Sequence, residues 1–237
     1  MGAVDPSLVL LGLTWFVVFL FSTTLHEAGH ALAAKKLGDP TAYHGGQVSL
    51  SPFPHIKREP FGMVLVPLLS FVLSRGGWMM GWASAPYDPM WAHRHPRRAA
   101  LMALAGPAAN LLLVIVAGGL IRLGVATGAY RVPEFVTFTA VTQPAAEGLA
   151  AAAVLPLSIF FTLNLVLFVF NLLPLPPLDG SAAIAILMPD EMARRYQEFL
   201  HNPSFSFLGI LIAWRLFNPV FDPVHTVALR LLYWGAI

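Results

Sequence analysis

Between Ser7 and Leu25 the chain carries no charged residue, and this run leads directly into His26-Glu27-Ala28-Gly29-His30. An uncharged stretch of about 20 residues is long enough to cross the hydrocarbon, and in lipid it must be helical because the backbone has to satisfy its own hydrogen bonds. On such a helix, residues four apart are one turn apart and face the same way, so His26 and His30 present two imidazole nitrogens to one cation. Glu27 projects from nearly the same face. There it would take a proton from an attacking water without being a ligand itself. The sequence thus sets a hydrolytic metal motif at membrane depth.

Composition agrees with that address. Of the 237 residues 57% are hydrophobic and 11% charged, and the mean hydropathy is +0.70, outside the range of soluble globular domains. The fourteen Lys and Arg fall in short clusters between apolar runs. Such clusters are topology signals and do not form a nucleic-acid surface, so no nucleic-acid partner is expected. With no cysteine, disulfide scaffolds, Cys-rich zinc ribbons and cysteine nucleophiles are excluded, and any metal is held by nitrogen and oxygen. Met1 to Pro6 lacks the basic flank of a signal peptide, and the apolar run after it is too long for one. A single integral-membrane domain, 1–237, is expected, with its core over 7–189.

If Lys35 and Lys36 mark the cytoplasmic interface, His26 lies roughly 13 Å inside it on helical rise. Thr41 to Pro60 changes to Tyr, Val, Ser and His around Gly45-Gly46, with Pro52 and Pro54 following, which reads as a short β-hairpin or a pair of edge strands. Phe61 to Ser74, with Pro67 inside it, is too short for a crossing and suits a re-entrant or interfacial segment. Ala99 to Ile121 and Gly148 to Asn171 are long enough to span. Pro174, Pro176 and Pro177 should stop the second of these near Asn171 to Leu173, leaving an extended segment that leads to Asp179-Gly180. Phe205 to Phe217 and Val224 to Trp234, divided by Asn218-Pro219 and Asp222-Pro223, read as a hydrophobic hairpin over 203–235 or an interfacial pair. The expected fold class is an all-α membrane protein: a polytopic transmembrane helix bundle with a small membrane-associated β-hairpin and a re-entrant segment.

Zinc in a catalytic site takes three protein ligands and keeps one position open. His26 and His30 supply two, and an intramembrane carboxylate is the expected third because a bare charge there costs several kcal/mol. Among the twelve acidic residues only Glu27 and Asp179 adjoin long uncharged spans. If the N-terminus lies outside and Phe61 to Ser74 does not cross, Lys35, Lys36, Lys57, Arg58, Arg94, Arg97 and Arg98 are all cytoplasmic. His26, the Gly106-Pro107-Ala108-Ala109-Asn110 segment and Asp179 then share the cytoplasmic half. Asn110 reads either as interhelical glue or as a polar group reaching into a cavity. The lone His44 and His55, and the pair His93 and His95 among arginines, read as surface or headgroup-facing residues.

His26-Glu27-Ala28-Gly29-His30, then Gly106-Pro107-Ala108-Ala109-Asn110, then Asn171-Leu172-Leu173-Pro174-Leu175-Pro176-Pro177-Leu178-Asp179-Gly180 resemble, in that order, the motifs of the site-2 proteases, intramembrane zinc metalloproteases. The resemblance implies one Zn²⁺ held by His26, His30 and Asp179, with Glu27 as the base. It implies that Asn171 and Asn110 hold the substrate or stabilise the oxyanion. Thr41 to Leu50 would correspond to membrane-associated strands that accept an unwound substrate by strand addition. It further implies a membrane-embedded protein substrate cleaved near the cytoplasmic face, in regulated intramembrane proteolysis, with a bacterial cytoplasmic membrane as the expected location. No stretch has room for a PDZ or CBS domain. Two alternatives are a metal-ion transporter and a catalytically silent membrane scaffold. The first needs polar residues continuing to the other face, where the spans offer mostly Ser, Thr and Asn; the second would usually lack Glu27 or a ligand, and all four residues are present.

Overall fold

The computed structural model describes residues 5–200 and 203–235. Met1 to Val4, part of the segment read above for a signal peptide, lies outside the described residues. Helix α1 (Pro6–Leu37) begins where the Asp5 carboxylate accepts the Ser7 amide at 2.9 Å and Pro6 fills the first turn. It ends at Gly38, whose φ of 106° lets the chain turn away while Lys35 and Lys36 face the negative end of the helix. At 1.5 Å per residue this helix is about 48 Å long, more than the roughly 30 Å of hydrocarbon.

After α1 come two short helices, α2 (Thr41–His44) and α3 (Phe53–Arg58). This replaces the β-hairpin expected over Thr41 to Pro60. The Asp39 carboxylate accepts the Thr41 amide and hydroxyl and bends the chain into α2, and Pro54 sits in the opening turn of α3, where a missing amide hydrogen costs nothing. The two-stranded sheet lies elsewhere, on the connection between the later spans: β1 (Tyr130–Arg131) pairs antiparallel with β2 (Gln143–Pro144), Tyr130 opposite Pro144.

A π-helical turn, Phe61–Leu65, runs into α4 (Val66–Leu73), and the chain then returns in extended form beside it. Ser74 bonds Trp78, Ser70 bonds Met80, the Trp82 amide donates to Gly62, and Ser84 donates to Glu59. The two arms approach closely because both contact points are glycines: a Cβ on Gly62 would sit 2.2 Å from the Trp82 carbonyl, and one on Gly81 2.2 Å from the Gly62 carbonyl. Gly76, at the turn, packs on Leu8 near the start of α1, whereas the Asp88 amide donates to Asp39 just past its end. The return arm therefore runs from near the start of α1 to just past its end. Helix α5 (Pro89–Arg94), capped by Asp88, follows.

Helices α6 (Pro96–Ala126) and α7 (Leu149–Asn171) complete a three-helix core with α1. Small residues set the spacing: Gly29 lies against the Ala105 carbonyl and the Ala109 methyl. Trp15, Val18 and Phe19 of α1 pack with Phe71, Met79, Ile159 and Leu163. α7 stops at Asn171, as the three prolines require, and α8 (Asp179–Ala183), a 3₁₀ turn (Ile184–Leu187) and the amphipathic α9 (Asp190–Leu200) follow.

Helix α10 (Pro203–Leu232) is continuous through Pro219 and Pro223, so the expected hydrophobic hairpin over 203–235 is one long helix. The prolines are four residues apart, and the carbonyls they free, on Arg215 and Pro219, fall on one strip of the helix; the other backbone bonds are unaffected. Arg122 of α6 anchors its far end by donating to the carbonyls of Leu231, Leu232 and Trp234. Among the described residues α1, α6, α7 and α10 are the four helices long and apolar enough to cross a membrane. Exposed Leu10, Val17, Ile115, Leu123 and Phe207 on their outer faces form the lipid-facing surface.

Candidate metal centre

His26 and His30 occupy successive turns of α1, and their rings meet edge to face with centroids 4.7 Å apart. Asp179 comes to them from the start of α8. Gly180 makes that approach possible, because a Cβ there would lie 2.2 Å from the Leu172 carbonyl: only glycine lets the chain fold back onto the last turn of α7. The Ser181 hydroxyl, bonded to the Leu178 carbonyl at 2.7 Å, closes the turn.

The three donor atoms form a closed triangle. His26 Nε2 is 3.0 Å from His30 Nε2 and 3.0 Å from Asp179 Oδ2, and His30 Nε2 is 3.3 Å from the same oxygen. Tetrahedral zinc with bonds of about 2.0–2.1 Å separates its ligand atoms by roughly 3.3 Å, so the triangle has the size that a single ion requires. Its chemistry suits one as well. His30 Nδ1 faces the Met102 carbonyl at 2.8 Å and therefore carries the proton, which turns the Nε2 lone pair inward. His26 Nδ1 faces the Asn110 amide oxygen and does the same. With both rings neutral, two imidazole lone pairs and a carboxylate oxygen converge, a donor set that a divalent cation completes. Both histidines are buried, while the Asp179 side chain retains 21% exposure, which leaves one side of the triangle open.

Glu27 is buried beside the pair and makes no hydrogen bond or ion pair with another described residue. Asn171, the last residue of α7, is half-buried and equally uncommitted. Asn110 differs: it is fully buried behind His26, with its oxygen toward His26 and its nitrogen 2.8 Å from Asn164 Oδ1. Asn164 and Ser22, which complete that network, were not singled out in the sequence. Isolated Asn and Ser in a span give no periodic signal, and only the packing of α1, α6 and α7 brings them together. His44, His93 and His95 lie outside the triangle, and His55 is buried with its Nε2 on the Ser49 carbonyl.

Four membrane-length helices around a buried His-Glu-x-x-His pair and an aspartate define a membrane-embedded metal centre of the hydrolytic kind. The family model for peptidase family M50 matches residues 14–212. The chain is 37% identical over 197 residues to "Putative zinc metalloprotease YwhC" of Bacillus subtilis (strain 168), covering 83% of this chain and 77% of that protein. It is 31% identical over 166 residues to "Putative zinc metalloprotease Rip2" of Mycolicibacterium smegmatis, covering 70% of this chain and 54% of that protein, so it spans about half the length of Rip2. No solved structure matches at a significant level. The chain belongs to peptidase family M50 and is a membrane metalloprotease of that family.

Proposed function

We propose that the chain is a zinc-dependent endopeptidase that cuts membrane-embedded protein substrates within the bilayer, toward the cytoplasmic face, in the manner of regulated intramembrane proteolysis. The observation that carries this reading is the triangle of His26, His30 and Asp179 with an uncommitted Glu27 beside it. Zinc held there would polarise a scissile carbonyl and bring the pKa of water down toward neutrality. Glu27 takes the proton of the attacking water and passes it to the leaving amine. Asn171, with a free amide at the end of α7, is assigned to the substrate. Asn110, with both amide ends engaged, is assigned to holding His26.

A substrate helix hides its amides in internal hydrogen bonds and must unwind locally, which favours segments with Gly, Pro or polar residues. The extended return arm from Trp78 to Asp88 touches Phe19 at one end and Asp39 at the other, so it passes the depth of His26 and His30. It takes the place of Thr41 to Leu50 as the extended backbone on which an unwound substrate would pair. The same excursion supports a re-entrant Phe61 to Asp88, which keeps Lys35, Lys36, Lys57, Arg58, Arg94, Arg97 and Arg98 on one face, the cytoplasmic one, with the N-terminus outside. A bacterial cytoplasmic membrane is the proposed location. The test is Glu27→Gln in the purified chain. It should retain zinc and lose cleavage of a membrane-embedded reporter, and undiminished cleavage would refute the assignment.

A further inference from the structure

We propose that Asn164, seconded by Ser22, is a positioning residue that fixes which nitrogen of His26 carries the proton, and so holds the metal-binding lone pair on Nε2. The polar chain crosses three helices. His26 Nδ1 on α1 meets Asn110 Oδ1 on α6; Asn110 Nδ2 donates to Asn164 Oδ1 on α7 at 2.8 Å; Asn164 Nδ2 donates to Ser22 Oγ at 2.9 Å and to the Phe160 carbonyl at 2.8 Å. Ser22, Asn110 and Asn164 have no exposed surface.

One atom sets the direction of the whole chain. The Phe160 carbonyl can only accept, so the Asn164 atom beside it is the amide nitrogen, and the Asn164 oxygen faces Asn110. An oxygen there requires the nitrogen of Asn110, whose own oxygen then faces His26. An amide oxygen cannot donate, so Nδ1 of His26 must, and in the neutral ring Nε2 is left as a lone pair toward His30 and Asp179. Neither amide can flip alone without setting like atoms against each other in a buried site, which is costly. Ser22 anchors the Asn164 amide but leaves the direction unchanged, since a hydroxyl both donates and accepts. His30 reaches the same state more simply, through the Met102 carbonyl.

The inference rests on the metalloprotease reading only in taking His26 as a ligand, and its first readout needs no metal. In the full chain, stripped of metal in detergent, labelled with ¹⁵N-histidine and held at a pH where the ring is neutral, His26 should appear as the Nδ1–H tautomer, assigned by its loss in His26→Gln. Asn164→Leu frees the Asn110 amide to turn, so His26 should become a mixture of tautomers, and zinc affinity measured by chelator competition should fall about 10–100-fold, the usual cost of losing such a support. Ser22→Ala should keep the tautomer and lose less than about 10-fold in affinity. A metal-free wild type with His26 mainly Nε2–H would overturn the proposal, as would an Asn164→Leu chain that keeps both tautomer and affinity. Should Asn164→Leu fail to fold, the wild-type tautomer decides. The predicted tautomer in a chain that binds no zinc would uphold the relay and overturn the metalloprotease reading.

Discussion

The α6 backbone at Gly106 passes directly over the His30 imidazole: a Cβ at this position would lie 2.3 Å from His30 Nε2 and 2.5 Å from His26 Nε2. A Cβ so close would overlap both imidazole rings, so only glycine here lets α6 lie against the two histidines without displacing their Nε2 atoms. Gly106→Ala should therefore abolish zinc binding while the chain still folds as a helix bundle, because Ala is a better helix former than Gly. Metal content and circular dichroism of the purified variant check both halves of this expectation.

Gly209 of α10 has a comparable role at longer range. A Cβ there would sit 1.9 Å from the Pro176 carbonyl, and Ala213, one turn on, is buried with Leu173 and Leu178 against the segment that ends in Asp179. Gly209→Ala should push α10 off that segment, weaken zinc binding by about 10-fold or more as other lost supports do, and lower the melting temperature. The comparison to make is zinc affinity against stability, since Ala at an exposed α10 position such as Leu211 should change neither by much.

Asp39 predicts a pH dependence. Burial alone would raise the pKa of its carboxyl, but the amide and hydroxyl of Thr41 and the amide of Asp88 outweigh it and hold the group below the ordinary carboxylate value. A depressed folded-state pKa contributes stability that is present above the unfolded value, near 3.9, and is lost as pH falls through the folded value. Asp39→Asn should be less stable than wild type at neutral pH by about 1.5–3 kcal/mol, the worth of a hydrogen bond to a charged group. The gap should close as the pH drops below about 4, which thermal melts across that window would measure.

The parts of the site that were legible in the sequence share one property: their cost in lipid is high. His26, Glu27 and His30 at helical spacing in an uncharged run, and Asp179 after a proline-stopped span, are residues that a bilayer does not tolerate without partners. The spans and the end of α7 were legible for the related reason that long apolar runs and prolines act locally. Thr41 to Pro60 reads as strand because Tyr, Val and paired glycines imitate strand chemistry, while the Asp39 side chain that starts α2 acts through hydrogen bonds to Thr41 and Asp88 that leave no periodic signal. The continuity of α10 was hidden by two prolines whose losses coincide on one strip. Asn164 and Ser22 were invisible for a different reason. Their meaning depends on the Phe160 carbonyl and on three helices meeting, and neither is written in any local pattern.

The central claim is that His26, His30 and Asp179 hold one zinc ion, and the most direct measurement is zinc per chain in purified wild type and Asp179→Asn. The account predicts one zinc per chain in the wild type and a large loss of occupancy under dilute chelator in Asp179→Asn, because only two imidazoles remain to hold the ion. Asp179→Asn that binds zinc as tightly as wild type, or a folded wild type with no zinc site, would contradict it.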